Sequence, residues 1–178
     1  MKYIALLRGI NVGKSIRVDM KDLKAVFKSL GYTGVSSYIN SGNIIFESGD
    51  DREKILLNLT TAFKKEFNAD IPTLVFTEFE IKEIAKAIPS EWRNDAEYKT
   101  DVAYLFPQID SEKTIGELPV KKEFLDIRYV KGAIFWNVDR KHLNQSQLIK
   151  IISHKYYQLM TVRNVNTARF LAGEQSKD

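Results

Sequence analysis

Tyr38-Ile39-Asn40-Ser41-Gly42-Asn43 sits between two β-rich stretches, Val35 to Ile39 and Ile44 to Phe46. Glycine enters the left-handed region freely, and asparagine tolerates it, so the pattern predicts two antiparallel strands joined by a tight turn. On the N-terminal side, Met20, Leu23, Phe27 and Leu30 recur at helical spacing after Asp19, a plausible N-cap, and Gly31 stops the helix. Residues 2–7 form an apolar run too short for a helix, hence a strand. On the C-terminal side, Asp50 with Glu53 suggests a capping box opening a helix that carries Ile55, Leu59, Phe63 and Phe67. Pro72 then opens a strand over Thr73 to Thr77. The order β-α-β-β-α-β is that of a ferredoxin-like unit. In such a unit the β1–α1 loop and the hairpin turn are expected at opposite ends of the sheet unless one of them is long.

The remaining chain predicts a second α+β subdomain. A helix over Phe79 to Ile88 leads through Pro89 into a polar stretch anchored by Trp92. A strand, Val102 to Phe106, stops at Pro107. Phe124 to Val130 and Ala133 to Val138 form a hairpin over Lys131-Gly132. Asn144 with Gln147 is read as capping a helix that carries Leu148, Ile151, Ile152 and Leu159, and a short helix over Thr167 to Leu171 follows. The fold class is therefore α+β, with subdomains 1–78 and 79–178, the second having a helix, three strands and C-terminal helices.

The 178 residues are 44% hydrophobic and 28% charged, a globular balance rather than a disordered one. No apolar run approaches the roughly 18 residues of a membrane span, so no membrane association is expected. Cysteine is absent, which removes disulfides, thiolate metal sites and cysteine nucleophiles, and fits a cytoplasmic protein. The two histidines, His142 and His154, lack metal-ligand spacing. No nucleophile elbow appears, and no motif calls for a cofactor or a metal.

Charge is unevenly spread. Residues 1–46 carry net +5, residues 47–126 net −7 and residues 127–178 net +6. Residues 8–18 hold Arg8, Lys14 and Arg17 with no acid; residues 140–173 hold six cations with no acid. Two basic ends suit an anionic partner.

Three segments carry the candidate chemistry. Gly9-Ile10-Asn11-Val12-Gly13-Lys14-Ser15 follows a strand, like a phosphate loop, but has three residues between its glycines where a P-loop has four. Five residues also intervene before the helix, which argues against a nucleotide triphosphatase. A looser anion nest, with Arg8, Gly9, Asn11, Gly13 and Lys14, remains. Asn40, Ser41 and Asn43 exceed what a turn needs. Arg163 with Asn164 and Asn166 suits a carboxylate or phosphate, although Asn166 or Thr167 also suits a helix cap.

Leu7-Arg8-Gly9-Ile10-Asn11-Val12-Gly13, Tyr38-Ile39-Asn40-Ser41-Gly42-Asn43 and Arg163-Asn164-Val165-Asn166-Thr167 together resemble the domain-of-unknown-function 1697 family of bacterial proteins, in order and along the whole chain. Lys14 departs from the family's second glycine, Asn40 from its common Gln, and Val165 from its common Trp. The resemblance implies a two-part α+β architecture and no known activity. The residues themselves favour binding of a small anionic or phosphorylated ligand, or of nucleic acid. The alternatives are an enzyme acting on a phosphorylated metabolite and an interaction protein whose acidic middle pairs with the basic ends of another subunit. For nucleic acid, the aromatic-rich strand motif is not evident.

Overall fold

In the computed structural model the described residues are 1–13 and 15–174. The chain divides into two compact units, residues 1–81 and 82–178.

The first unit contains β1 (Lys2–Leu7), α1 (Met20–Ser29), β2 (Thr33–Tyr38), β3 (Asn43–Glu47), α2 (Arg52–Phe67) and β4 (Thr73–Thr77). Its sheet runs β2-β3-β1-β4 with every pairing antiparallel. That order is consistent with a ferredoxin-like unit. The alternation along β1 sends Tyr3, Ala5 and Leu7 to one face, where they pack with Leu23, Val26 and Phe27 of α1 and Ile55, Leu59 and Phe63 of α2. Phe46 lies 5.1 Å from both Phe27 and Tyr32. Burying each such side chain stabilises by about 1.5–3 kcal/mol, so spacing three and four on both helices fixes which faces meet the sheet. Ile4 and Leu6 on the other face are fully buried as well.

The helix ends explain two sequence readings. Asp19 caps α1, its carboxylate accepting from the Lys21 N–H at 2.6 Å. At α2 the cap is Asp51, accepting from the Lys54 N–H at 2.8 Å. The expected Asp50/Glu53 box is not formed, because the helix starts one residue later. A reciprocal box stands instead before α3 (Glu78–Ala87). The Thr77 N–H donates to Glu80 Oε2, and the Glu80 N–H donates to Thr77 Oγ1.

The second unit contains β5 (Tyr98–Leu105), the one-turn α4 (Thr114–Glu117), β6 (Asp126–Val130), β7 (Ala133–Asp139), β8 (Met160–Asn164) and α5 (Val165–Leu171). Its antiparallel sheet runs β6-β7-β5-β8. Ala103, Leu105, Ile134, Trp136, Val138 and Met160 build a core on one face. The expected three strands are four, because Met160–Asn164 forms the further strand β8. The expected helix from Asn144 to Leu159 is not formed. In its place stand two 3-10 stretches, Leu148–Ser153 and Tyr157–Leu159. Gln147 is left-handed, with φ 58°, and His154 is extended, so an α-helix can neither start at the first nor pass the second. The last helix is capped by Asn164, whose side chain accepts from the Thr167 N–H at 2.9 Å, not by Asn166 or Thr167.

Candidate functional site

The β1–α1 loop and the β2–β3 turn meet, contrary to the expectation that they lie at opposite ends of the sheet. The cause is strand direction. β3 runs antiparallel to β1, so Leu6 pairs with Asn43 and the end of β1 adjoins the start of β3. The Leu7 N–H then donates to Gly42 O at 2.9 Å.

Asn11 holds the junction. Its Nδ2 donates to Val18 O at 2.8 Å and to Asn40 O at 3.0 Å, while its Oδ1 accepts from the Val18 N–H at 2.9 Å. Its own N–H donates to Ile16 O. Asn11 is left-handed, with φ 56°, a conformation asparagine tolerates better than most residues. Gly42 is left-handed too, and a Cβ there would lie 2.8 Å from both Leu7 Cβ and Ile10 Cδ1. Only a glycine lets the turn approach the loop this closely. Asn43 is fully buried and donates from Nδ2 to Tyr38 O and Ser41 Oγ, each at 3.0 Å. The excess polarity of the turn is thus partly its own scaffolding.

Around this junction, Gly9 and Gly13 are left-handed and have open space where a Cβ would stand. The Val12 N–H donates to Ser15 Oγ at 2.8 Å, and Arg17 donates from Nη2 to Gly13 O at 3.1 Å. Arg8 is half-buried and its N–H donates to Pro72 O. Asn40 is exposed. Lys14 lies outside the described residues. Arg17, absent from the candidate set, belongs to this loop; its place in an acid-free stretch was the available signal. Ile39, in the β2–β3 turn, is left-handed too, with φ 49°, which is rare for a β-branched residue.

Arg163, Asn164 and Asn166 belong to the second unit. Arg163 is buried on β8 and donates from Nη1 to Thr161 Oγ1 and Val162 O, both at 2.9 Å. On β5, Val102 is opposite Arg163 and Tyr104 opposite Thr161, so Arg163 and the fully buried Tyr104 share a face. Burial pulls the Arg163 guanidinium down to about 10, with the Tyr104 phenol opposing that shift. Burial pushes the Tyr104 phenol well above its ordinary range. Asn164 is committed to its cap and Asn166 is exposed.

Other cations of the acid-free tail are tied to neighbouring chain. Arg169 donates to the carbonyls of Pro89, Ser90 and Trp92. Arg140 donates to Asp95 O, and Lys155 pairs with Glu117. An open groove of about 600 Å³ in the second unit is lined by Tyr98, Phe124, Asp126, Asn137 and Asp139 among others. Its two aspartates are paired with Arg128 and Lys141. Among the described residues no three His, Asp or Glu side chains gather to hold a metal, and no helix is long and apolar enough to cross a membrane.

A similar solved structure is that of a conserved bacterial protein, SP0830, from Streptococcus pneumoniae. The two chains are 26% identical, each is covered over 97% of its length, and the TM-score is 0.83. No curated protein matches this chain. The family model described as "Protein of unknown function (DUF1697)" matches residues 1–136, about three quarters of the sequence, and the chain belongs to that family.

Proposed function

We propose that this protein binds a small anionic or phosphorylated ligand at the loop Arg8–Arg17 of its first unit. The observation that carries the reading is the backbone of that loop. Gly9, Asn11 and Gly13 are left-handed at alternate positions, and with the N–H groups of Asn11 and Val12 already given to Ile16 O and Ser15 Oγ, the anion would be met by the glycine backbone on either side of them together with Arg17. The loop holds no carboxylate, and Arg17 is fastened to its tip. The open space at Gly9 and Gly13 leaves room for a ligand to approach the backbone. Asp19 caps α1, so the anion is held by the loop and not by the helix terminus as in a P-loop.

The test is thermal unfolding at low salt with inorganic phosphate, nucleotides, sugar phosphates and a short RNA. A ligand at 100 times its dissociation constant adds about 2.7 kcal/mol. In a chain of this size that raises Tm by roughly 5–10 °C. Arg17→Ala keeps the unliganded Tm and loses the shift. A panel that moves nothing, or a shift untouched by Arg17→Ala, removes the reading.

A further inference from the structure

The open groove of the second unit, about 600 Å³, is of the size that small-molecule sites have. Strand register builds its polar wall. Tyr98 stands opposite Asp139 and Thr100 opposite Asn137, while Asn137 also stands opposite Asp126. Residues opposite each other share a face, and so do alternate residues of one strand. Tyr98, Asp126, Asn137 and Asp139 are therefore on one face of the sheet, at the end where β5 begins. Phe124, half-buried in the turn before β6, is the second aromatic of the lining.

The hydrogen bonds around the groove decide which atoms it offers. The Thr100 hydroxyl gives its one proton to Arg93 O at 2.6 Å, so toward Asn137, 2.7 Å away, it can only accept. The Asn137 amide is thereby oriented with Nδ2 toward Thr100. Among the described residues its Oδ1 has no hydrogen-bond partner, and neither has the Tyr98 hydroxyl. The two aspartates offer lone pairs but no free charge. Asp126 accepts from Nε and Nη2 of Arg128, and Asp139 from the N–H and Nζ of Lys141. The remaining charged residues of the lining, Lys122 and Glu123, are exposed and opposite in sign.

Acceptor atoms without net charge discriminate among ligands. An anion would meet oxygen lone pairs. A cation would have to displace Arg128 or Lys141 from an aspartate. An uncharged ligand rich in hydroxyls does neither: its O–H groups donate to Asn137 Oδ1 and to spare carboxylate lone pairs, and its C–H surface packs on an aromatic ring. We propose that this groove binds a saccharide, with Asn137, Asp139 and the Tyr98 hydroxyl as its polar contacts and Phe124 as its apolar one. The site needs nothing from the anion-binding loop, which belongs to the other unit.

Amide NMR spectra test it, with maltotriose, cellotriose, chitotriose and lactose each titrated to about 10 mM, enough to fill a site whose dissociation constant is about 1 mM. At least one sugar is expected to shift the amides of Tyr98, Asn137 and Asp139 and to leave those of residues 8–13 unmoved. Tyr98→Phe keeps the ring and Phe124→Leu keeps an apolar side chain, so both retain the fold; each weakens binding by about threefold to tenfold. Lys131→Ala, in the turn at the far end of the β6–β7 hairpin, binds as wild type. Sodium phosphate and putrescine are the charged arms, and larger shifts of the groove amides by either would overturn the proposal. So would a panel in which no sugar moves those amides, binding that either groove variant leaves intact, or loss of binding in Lys131→Ala.

Discussion

Asn11 donates from Nδ2 to the carbonyl oxygen of Asn40 across 3.0 Å, joining two loops 29 residues apart at one end of the first sheet. With its two bonds to Val18, this side chain ties the Arg8–Arg17 loop both to itself and to the hairpin turn.

Replacing Asn11 with Ala removes three side-chain hydrogen bonds to backbone and a weaker one to Met20 Sδ, and places Ala at a positive φ. At about 1 kcal/mol per bond, the loss is about 2–3 kcal/mol, a fall of roughly 5–10 °C in Tm. Asn11→Asp retains the acceptor toward the Val18 N–H but aims a carboxylate at two carbonyls, so it fares no better. Differential scanning calorimetry of both variants checks this. Wild-type stability in either would mean that the bridge is not holding the loops.

Gly42→Ala tests the close approach itself. The added Cβ meets Leu7 Cβ and Ile10 Cδ1 at 2.8 Å and is strained at φ 77°. Left-handed strain and overpacking together predict about 2–4 kcal/mol of destabilisation. By contrast, Gly9→Ala meets nothing within 4 Å and incurs only the left-handed cost. Denaturant unfolding of the pair separates contact from strain; equal losses would show that the turn does not press on the loop.

Arg169 should matter to stability more than a half-buried surface cation does. Its guanidinium donates to three carbonyls of the Pro89–Trp92 turn, at 2.9, 3.0 and 3.4 Å. Arg169→Met strands these acceptors and is expected to cost about 2 kcal/mol. Lys, with one compact ammonium, restores only part of it. Amide hydrogen exchange in residues 89–97 should accelerate in Arg169→Met, and an unchanged pattern there would refute the role.

Acid stability should depend on Glu80. Burial alone would raise its carboxyl, but hydrogen bonds from Arg52 and Thr77 outweigh that and hold it below the ordinary glutamate value. The folded protein then binds this proton less readily than the unfolded chain. The stabilisation is fully present above the ordinary value of about 4.3 and is lost as the pH falls from there through the folded value. Tm measured from pH 6 to 3 should fall more steeply in wild type than in Glu80→Gln. Parallel curves would rule the capping box out as an acid-sensitive element.

Regular spacing was the part of the fold that the sequence displayed openly. Leu23 and Phe27, and then Ile55, Leu59 and Phe63, are all buried where a helical period puts them. The Asn-Ser-Gly-Asn turn announced its hairpin. β8 does alternate, Met160 and Val162 meeting the core and Thr161 and Arg163 the other face, but the run is short and adjoins the apolar stripe that reads as a helix up to Leu159. The 148–159 stretch had a helical apolar stripe, but the left-handed Gln147 and extended His154 divide it, and neither residue type signals such a conformation. In the candidate site, the glycines and Asn11 were legible as loop chemistry. The contact between Asn11 and Asn40 went against the expected placement of the two loops; it follows from strand direction, since antiparallel pairing puts the end of β1 beside the start of β3. Asn43 and Asn164 stood out as polar excess, and their hydrogen bonds serve the turn and the helix cap.

The arginines that fasten carbonyls have a practical corollary at the bench. With Arg163 buried and Arg169 half-buried against the Pro89–Trp92 carbonyls, while Arg17 is exposed, the sequence pI of about 9.1 overstates how strongly the C-terminal segment grips a negatively charged resin. Retention on a cation exchanger near neutral pH should follow the Arg8–Arg17 loop more than the tail. Elution salt would then drop further for Arg17→Ala than for Arg169→Gln, although each removes the same single charge.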